Sequence, residues 1–308
     1  MKRILRFIGK LRFEEFLAIL FLLPSFLITL KANLYYIEIG EKIPRKFYGG
    51  IWRIVITVAV MLIFYYLVKK KILWDKLFWL RDVMPFIFCI AIYTNLHDTI
   101  HFVNPHDIHD YIIKIDQAIF GVQPCVWAQK FYNPYLTAYF SVSYMNYFLI
   151  SVIVVVWLLY KKRNKDAREV LFGTILTFYM GYFLYILFPA APPRIVLANQ
   201  FVKDFSGGLL AKLQNDLVHI SPSSSRAAFP SLHCAVTLIS LLYSYKFERK
   251  LFWILLIPGI SLVLATIYLR HHYVTDIIAG FILAIFAYNI SPRVDAFWEN
   301  VRKKLKNV

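Results

Sequence analysis

The fold is decided by long apolar runs, and the clearest of them, residues 251–269, reads LFWILLIPGISLVLATIYL. The run carries no charged side chain, and its length matches the roughly 20 residues that a helix needs to cross a bilayer. Hydrophobic residues make up 59% of the 308 positions and charged residues only 17%, whereas about a quarter of a soluble domain is charged. Because similar runs recur along the whole chain, a signal peptide followed by a soluble domain is excluded. The sequence predicts an all-α fold, a polytopic membrane helical bundle.

About eight membrane-spanning helices are predicted from these runs and from the residues that break helices. The third contains Arg81 and Asp82 near its start, and the sixth has a polar first turn. The predicted spans are residues 14–34, 50–68, 77–96, 137–160, 168–189, 230–245, 251–269 and 273–290.

The basic residues orient this bundle. The net charge is +17, with 35 Lys and Arg against 18 Asp and Glu. In a membrane protein such an excess marks cytoplasmic loops rather than a nucleic-acid partner. Most Lys and Arg fall on the side of the N-terminus, so we expect both termini to be cytoplasmic. The opposite side, which is periplasmic, extracellular or lumenal, then receives all eight histidines: His97, His101, His106, His109, His219, His233, His271 and His272.

The three cysteines Cys89, Cys125 and Cys234 are too few and too scattered for a zinc site or a disulfide framework.

A proline-rich segment ends the fifth span on the histidine-bearing side. Residues 189–194 read PAAPPR, and the prolines stop the helix and stiffen its exit. Arg194 is left at the membrane surface, where its planar donors suit a pair of phosphate oxygens. A helix stop followed by a snorkelling arginine fits the same residues.

A second segment, residues 225–233, opens the sixth span and reads SRAAFPSLH. Pro230 is predicted to lie in the first helical turn, where free N–H groups and the helix dipole attract an anion. Ser231 adds a hydroxyl, and His233 in the same turn can reach a phosphate ester oxygen. Taken alone, the segment also fits a helix cap beside an interfacial histidine.

The third segment, residues 270–276, opens the eighth span and reads RHHYVTD. His272 and Asp276 are spaced i, i+4 and therefore share a helix face. A carboxylate there can accept the Nδ1–H of the imidazole and leave Nε2 available as a nucleophile or base. An aspartate inside a membrane helix has few structural explanations. Two histidines at helix starts, flanked by arginines, predict a site that moves protons and holds an anion.

Together these residues resemble a known family. Residues 192–194 (PPR), 230–233 (PSLH) and 272–276 (HYVTD) are similar to the three signature segments of the type 2 phosphatidic acid phosphatase superfamily. They look most like its inositol phosphorylceramide synthase branch, which residues 115–121 (IDQAIFG) also resemble. The resemblance covers about residues 110–285.

The resemblance implies a six-helix catalytic core with two extra N-terminal spans, and a metal-independent lipid phosphotransferase or phosphatase without a cofactor. His272 would attack phosphorus and form a phosphohistidine, His233 would act as acid and then base, and Asp276 would orient His272. Arg194 and Ser231, with the first-turn amides of span six, would bind the phosphoryl oxygens. The expected donor is a phospholipid or lipid phosphate, and the acceptor is water or an alcohol such as ceramide or diacylglycerol.

This interpretation divides the chain into three parts. Residues 1–100 form N-terminal transmembrane helices whose role is unknown, residues 101–290 form the catalytic membrane core, and residues 291–308 form a basic cytoplasmic tail.

Two departures from the superfamily pattern concern phosphate binding. The Ser-Arg pair that usually precedes the nucleophile is Ala265 and Thr266 here, which the synthase branch tolerates, and Leu187 replaces the usual lysine before Arg194. Arg270 and Arg226 are the predicted replacements for the missing arginine.

Candidate headgroup contacts are His97, Asp98 and His101, in the polar connection after the third span, together with Asp116. A headgroup such as inositol phosphate would suit them. The connection also fits a solvated loop, and its histidines and aspartates fit a metal site.

Two other classes of function fit the sequence less well. A transporter would carry charges deep in several spans, whereas the polar groups here gather at one membrane face. A membrane serine protease lacks a convincing nucleophile turn.

Overall fold

The structure, a computed structural model, describes residues 2–43, 45–70, 78–202, 208–220 and 226–306. These ranges contain no β-strand, only an isolated parallel bridge between Ala190 and Ala227. The all-α prediction is confirmed. The helices are α1 (Lys2–Ile8), α2 (Phe13–Glu38), α3 (Arg45–Lys69), α4 (Phe78–Thr99), α5 (His109–Phe120), α6 (Pro124–Trp127), α7 (Pro134–Met145), α8 (Tyr147–Tyr160), α9 (Asn164–Leu187), α10 (Pro193–Val196), α11 (Gly208–Ile220), α12 (Leu232–Phe247), α13 (Arg249–Tyr268) and α14 (Val274–Lys306).

A long helix, or in one case a bent pair, occupies each of the eight predicted span positions. By length and hydropathy, five helices of the described chain are candidate membrane spans, namely α2, α3, α9, α13 and α14, and α7 with α8 makes a sixth if that pair is one span bent by 49°. Helix α12 is short, with 16 residues, and α4 carries Arg81 and Asp82. Both helices pack against several other helices, so their stability does not depend on contact with lipid alone.

Helix α12 lies at the centre of the later bundle, in contact with α8, α9, α13 and α14. Small residues allow these close approaches. A Cβ at Gly181 would overlap the side chain of Leu232, and a Cβ at Gly280 would overlap the carbonyl oxygen of Ser231. Gly280 therefore lets the start of α14 lie directly against the start of α12, where Ser231 N donates to Asp276 O at 2.9 Å.

Buried ion pairs join the N-terminal helices to each other and to the rest of the bundle. Arg81 of α4 donates to Glu15 of α2 at 2.7 Å, and both side chains are at most 5% exposed. Arg168 of α9 contacts Glu14 at 3.3 Å and Asp295 of α14 at 2.8 Å. Residues 1–100 thus pack against the later helices through charged contacts at the membrane end that holds the N-terminus.

The residues predicted as a basic cytoplasmic tail continue the last helix. Helix α14 continues through residue 290 to Lys306, and Trp298 donates its indole N–H to Leu11 O at 2.9 Å. Helix α1 packs against α14, a contact that the length of the predicted span does not reveal.

Candidate active site

The two histidines that the sequence analysis placed at separate helix starts meet in the fold. His272 Nε2 lies 3.3 Å from His233 Nδ1, and His272 Nδ1 lies 3.3 Å from Asp276 Oδ2. His272 is 4% exposed and Asp276 is fully buried. The three side chains therefore form one hydrogen-bonded line that ends at His233, the most exposed of the three.

Helix capping sets the position of these groups. Ser231 is the N-cap of α12, and its Oγ accepts from Cys234 N at 3.4 Å. Pro230 therefore precedes the cap, and its predicted place in the first helical turn was wrong. His233 still lies in the first turn, beside the free N–H groups and the positive end of the helix dipole.

The backbone before α14 holds the histidine pair. The carbonyl oxygen of Thr266 accepts from His271 N at 2.9 Å and from His272 N at 3.1 Å. Asp276 Oδ2 also accepts from Tyr273 N at 2.9 Å, so one carboxylate both caps the helix start and contacts the imidazole.

Arg194 lies beside the histidines and contacts the Nδ1 of His271 directly. Its backbone N–H donates to Arg270 O at 3.0 Å, which joins α10 to the turn before α14. Within the described chain, no carboxylate forms an ion pair with Arg194, and burial lowers its pKa from the ordinary value. A buried cation without an acidic partner is a suitable site for an anionic ligand.

The family comparison agrees with this geometry. A family model described as the PAP2 superfamily matches residues 110–290, which is more than half of the chain. The chain belongs to the PAP2 superfamily. The matched range contains the three predicted signature segments and their contact region.

Two curated relatives extend the PAP2 assignment. A PA-phosphatase related-family protein of Dictyostelium discoideum is 24% identical over 170 residues, or 49% of this chain and 31% of that protein. A phosphoinositol dihydroceramide synthase of Bacteroides thetaiotaomicron is 22% identical over 206 residues, or 60% of this chain and 67% of that protein. The chain thus spans only about a third of the Dictyostelium relative. No solved structure matches the chain. The resemblance is confirmed, and it supports a lipid phosphatase-type function in an integral membrane protein.

Among PAP2 proteins this chain lacks the usual second arginine, and the two predicted replacements have other contacts. Arg270 has a positive φ of 64° and lies over the Phe201 ring, 4.0 Å from its centroid. Arg226 forms an ion pair with Asp107 at 3.1 Å. Arg194 is therefore the arginine that the structure places against the histidine cluster, and phosphate binding by Arg270 and Arg226 stays a prediction.

The carboxylate of Asp116, a predicted headgroup contact, is occupied by the start of α14, and its headgroup role stays a prediction. It is 1% exposed, and its carboxylate accepts from Val274 N at 2.9 Å, Thr275 N at 2.9 Å and Thr275 Oγ1 at 2.6 Å. The free N–H groups of a helix start need such a partner. Asp116 therefore caps α14 from α5, which fixes the turn that carries His272.

The other predicted headgroup contacts lie in a part of the chain whose side chains are not described, namely His97, Asp98 and His101. Among the described residues, no group of three or more His, Cys, Asp or Glu is placed to hold a metal ion. The three side chains lie outside those residues, so both hypotheses for them stay predictions.

Two tyrosines that sequence reasoning missed enclose the histidines. Tyr144 stacks on His271 with ring centroids 4.2 Å apart and on His233 at 4.7 Å, and Tyr147 lies 4.2 Å from His233. They flank the break between α7 and α8. Their spacing of three residues was the available signal, but it looks the same as ordinary core packing.

Burial of His271 and His272 favours their neutral forms. Burial lowers the pKa of both His271 and His272 from the ordinary value, and the charge of Arg194 acts in the same direction. A neutral His272 keeps a lone pair on a ring nitrogen, which a nucleophile requires.

Proposed function

We propose that this protein is a metal-independent lipid phosphotransferase or phosphatase that works through a phosphohistidine at His272. The observation that carries the proposal is the line from Asp276 through His272 to His233, with contacts of 3.3 Å on both sides of His272. Asp276 orients the ring through Nδ1, and this leaves Nε2 facing the group that can donate a proton.

In the first step, the Nε2 lone pair of His272 attacks phosphorus and a P–N bond forms. The bond from phosphorus to the leaving lipid oxygen breaks, and protonated His233 gives its proton to that oxygen. Because an in-line displacement puts the leaving oxygen opposite the attacking nitrogen, substrate has to separate the two rings from their present contact. Such rearrangement between the free and substrate-bound site is common.

In the second step, His233 takes a proton from the acceptor hydroxyl, whose oxygen attacks phosphorus and breaks the P–N bond. Water as acceptor gives a phosphatase, and a lipid alcohol gives a synthase. The name of the Bacteroides relative, phosphoinositol dihydroceramide synthase, favours transfer of a phosphoinositol headgroup to a ceramide-type alcohol. The name of the Dictyostelium relative favours hydrolysis.

Charge develops on the phosphoryl oxygens during both steps, and the site offers donors for it. Arg194 supplies a guanidinium, and the start of α12 supplies free backbone N–H groups together with the Ser231 hydroxyl. Fixed donors in a buried site stabilise a transition state more than water does. We place this site on the non-cytoplasmic face, with both termini cytoplasmic, from the distribution of basic residues.

The experiment uses purified protein in detergent with EDTA and a panel of donors, phosphatidic acid and phosphatidylinositol among them, with and without ceramide or diacylglycerol. We expect free phosphate or a new phospholipid to form despite the chelator. His272→Ala should abolish the product, while His106→Ala, which removes an exposed imidazole, should not. A brief incubation with labelled donor should leave acid-labile, base-stable label on wild type. Turnover by His272→Ala at the wild-type rate would refute the proposal.

A further inference from the structure

Arg194 has an unusual neighbour for a buried cation. Its guanidinium contacts a neutral imidazole, the Nδ1 of His271, and the structure pairs it with no acidic group in the described ranges. The guanidinium is always a donor, so Nδ1 of His271 is the acceptor. The proton of the neutral ring must then be on Nε2.

Nε2 of His271 lies 3.2 Å from the amide nitrogen, Nε2, of Gln214. An N–H at Nε2 of His271 requires an acceptor there, and the Gln214 amide provides one when it is turned by about 180° so that its oxygen takes the place of its nitrogen, two atoms whose positions are assigned from their hydrogen bonds. Gln214 thereby holds His271 in the tautomer that presents a lone pair to Arg194. The face of the His271 ring is held by Tyr144, with centroids 4.2 Å apart.

Gln214 belongs to α11, a helix whose two faces differ. Gln214 and Ala211 are each 2% exposed, whereas Leu209 is 80% exposed and Leu213 46%. Helix α11 packs against α7, which carries Tyr144. A glutamine is rarely buried without a hydrogen-bonding role, and the contact that the structure gives this one is His271.

We propose that Gln214 and His271 are positioning residues that hold the guanidinium of Arg194 in place for the phosphoryl oxygens. The proposal rests on the proposed function of the site. It assigns a task to α11, which lies outside the three signature segments, and to the first histidine of the His271–His272 pair. Neither residue touches phosphorus; each acts through Arg194.

The test measures binding of orthovanadate, a phosphoryl mimic, to purified protein by calorimetry in detergent. The proteins are wild type, Arg194→Lys, His271→Leu, His271→Asn, Gln214→Leu, and the two leucine variants each combined with Arg194→Lys. Each is also made with His272→Ala, which removes the proposed nucleophile. The control is Gln117→Leu, which removes an exposed glutamine from α5.

We expect His271→Leu and Gln214→Leu each to weaken vanadate binding about tenfold, the effect of one disturbed hydrogen bond to a charged group. His271→Asn should restore most of the affinity, because its Oδ1 can accept in place of Nδ1. Combined with Arg194→Lys, neither leucine variant should weaken binding further, since both act through the lost guanidinium geometry. Gln117→Leu should bind like wild type.

Full additivity with Arg194→Lys, or equal losses for His271→Asn and His271→Leu, would show a general structural effect and overturn the proposal. Unchanged binding in both leucine variants would overturn it as well. These outcomes differ from failure of the proposed function, which shows as turnover that survives His272→Ala. Because the binding arm needs no turnover, each proposal can fail separately.

Discussion

The cap that Asp116 places on α14 makes the most decisive prediction, because the sequence and the structure assign this residue different roles. A headgroup contact would affect only substrate binding. A cap would affect the stability of the fold and the placement of His272. The change that separates the two is Asp116→Asn, which keeps the size of the side chain and removes its charge.

The magnitude follows from three hydrogen bonds of 2.6 to 2.9 Å at a site that is 1% exposed. Asparagine keeps one oxygen, which can still accept from Thr275, but its NH₂ group then faces the N–H of Val274. One bond to a charged acceptor is lost and one buried N–H is left unsatisfied, which costs about 2–3 kcal/mol. For a chain of 308 residues this corresponds to a fall of roughly 3–5 °C in the unfolding midpoint.

The assay is thermal unfolding of the purified protein in detergent, with turnover measured in parallel. We expect a lower midpoint together with a kcat reduced about tenfold, because the turn that carries His272 loosens. The matched control is Asp110→Asn in the same helix, where the side chain is 79% exposed. An unchanged midpoint with a raised KM for the donor lipid would refute the cap and favour the headgroup contact.

Three further predictions concern packing, charge and pH. Gly280→Ala should push α14 away from the start of α12, lower the free energy of unfolding by about 1–3 kcal/mol and reduce turnover. The control Gly259→Ala places its Cβ against the flexible end of a leucine side chain and should be tolerated. Unfolding midpoints and turnover rates of the two variants check this. Arg81→Met leaves the buried Glu15 carboxylate without its guanidinium partner and should cost about 3–5 kcal/mol of stability, measured by unfolding in detergent, and a midpoint equal to wild type would contradict it. Burial lowers the pKa of His272 from 6.5, so the neutral, nucleophilic ring persists as pH falls. The decrease of kcat/KM on the acid side that is due to protonation of His272 should therefore have its midpoint below pH 6.5. A midpoint at or above pH 6.5 would contradict this prediction.

The membrane bundle and the three chemical residues could be predicted from short stretches of chain. Apolar runs predict helices at all eight positions because a bilayer selects length and hydropathy, which are local properties. His272 and Asp276 are four residues apart, so their contact follows from one helical turn. The errors were also local, as at Pro230, where capping by Ser231 moved the helix start by two residues.

The phosphate-binding environment could not be predicted in the same way. Arg270 and Arg226 are the predicted replacements for a missing arginine because they lie close in sequence to the signature segments. The sequence does not show that Arg270 has a positive φ and stacks on Phe201, or that Arg226 pairs with Asp107. Phosphate binding by either arginine stays a prediction. Sequence proximity says which residues are near a segment of chain. It does not say which way a side chain points.

The sequence by itself therefore determined the all-α membrane architecture and singled out His233, His272 and Asp276 as the predicted catalytic residues, because periodicity and helix-start chemistry act over a few residues. Only the tertiary structure joined Arg194 to His271 across 77 positions, Gln214 to His271 across 57 and Asp116 to Val274 across 158. Such contacts arise from how whole helices pack, which depends on close approaches such as that of Gly280 to Ser231. No spacing rule along the chain encodes them, since the partners are brought together by the bundle and not by a helical turn.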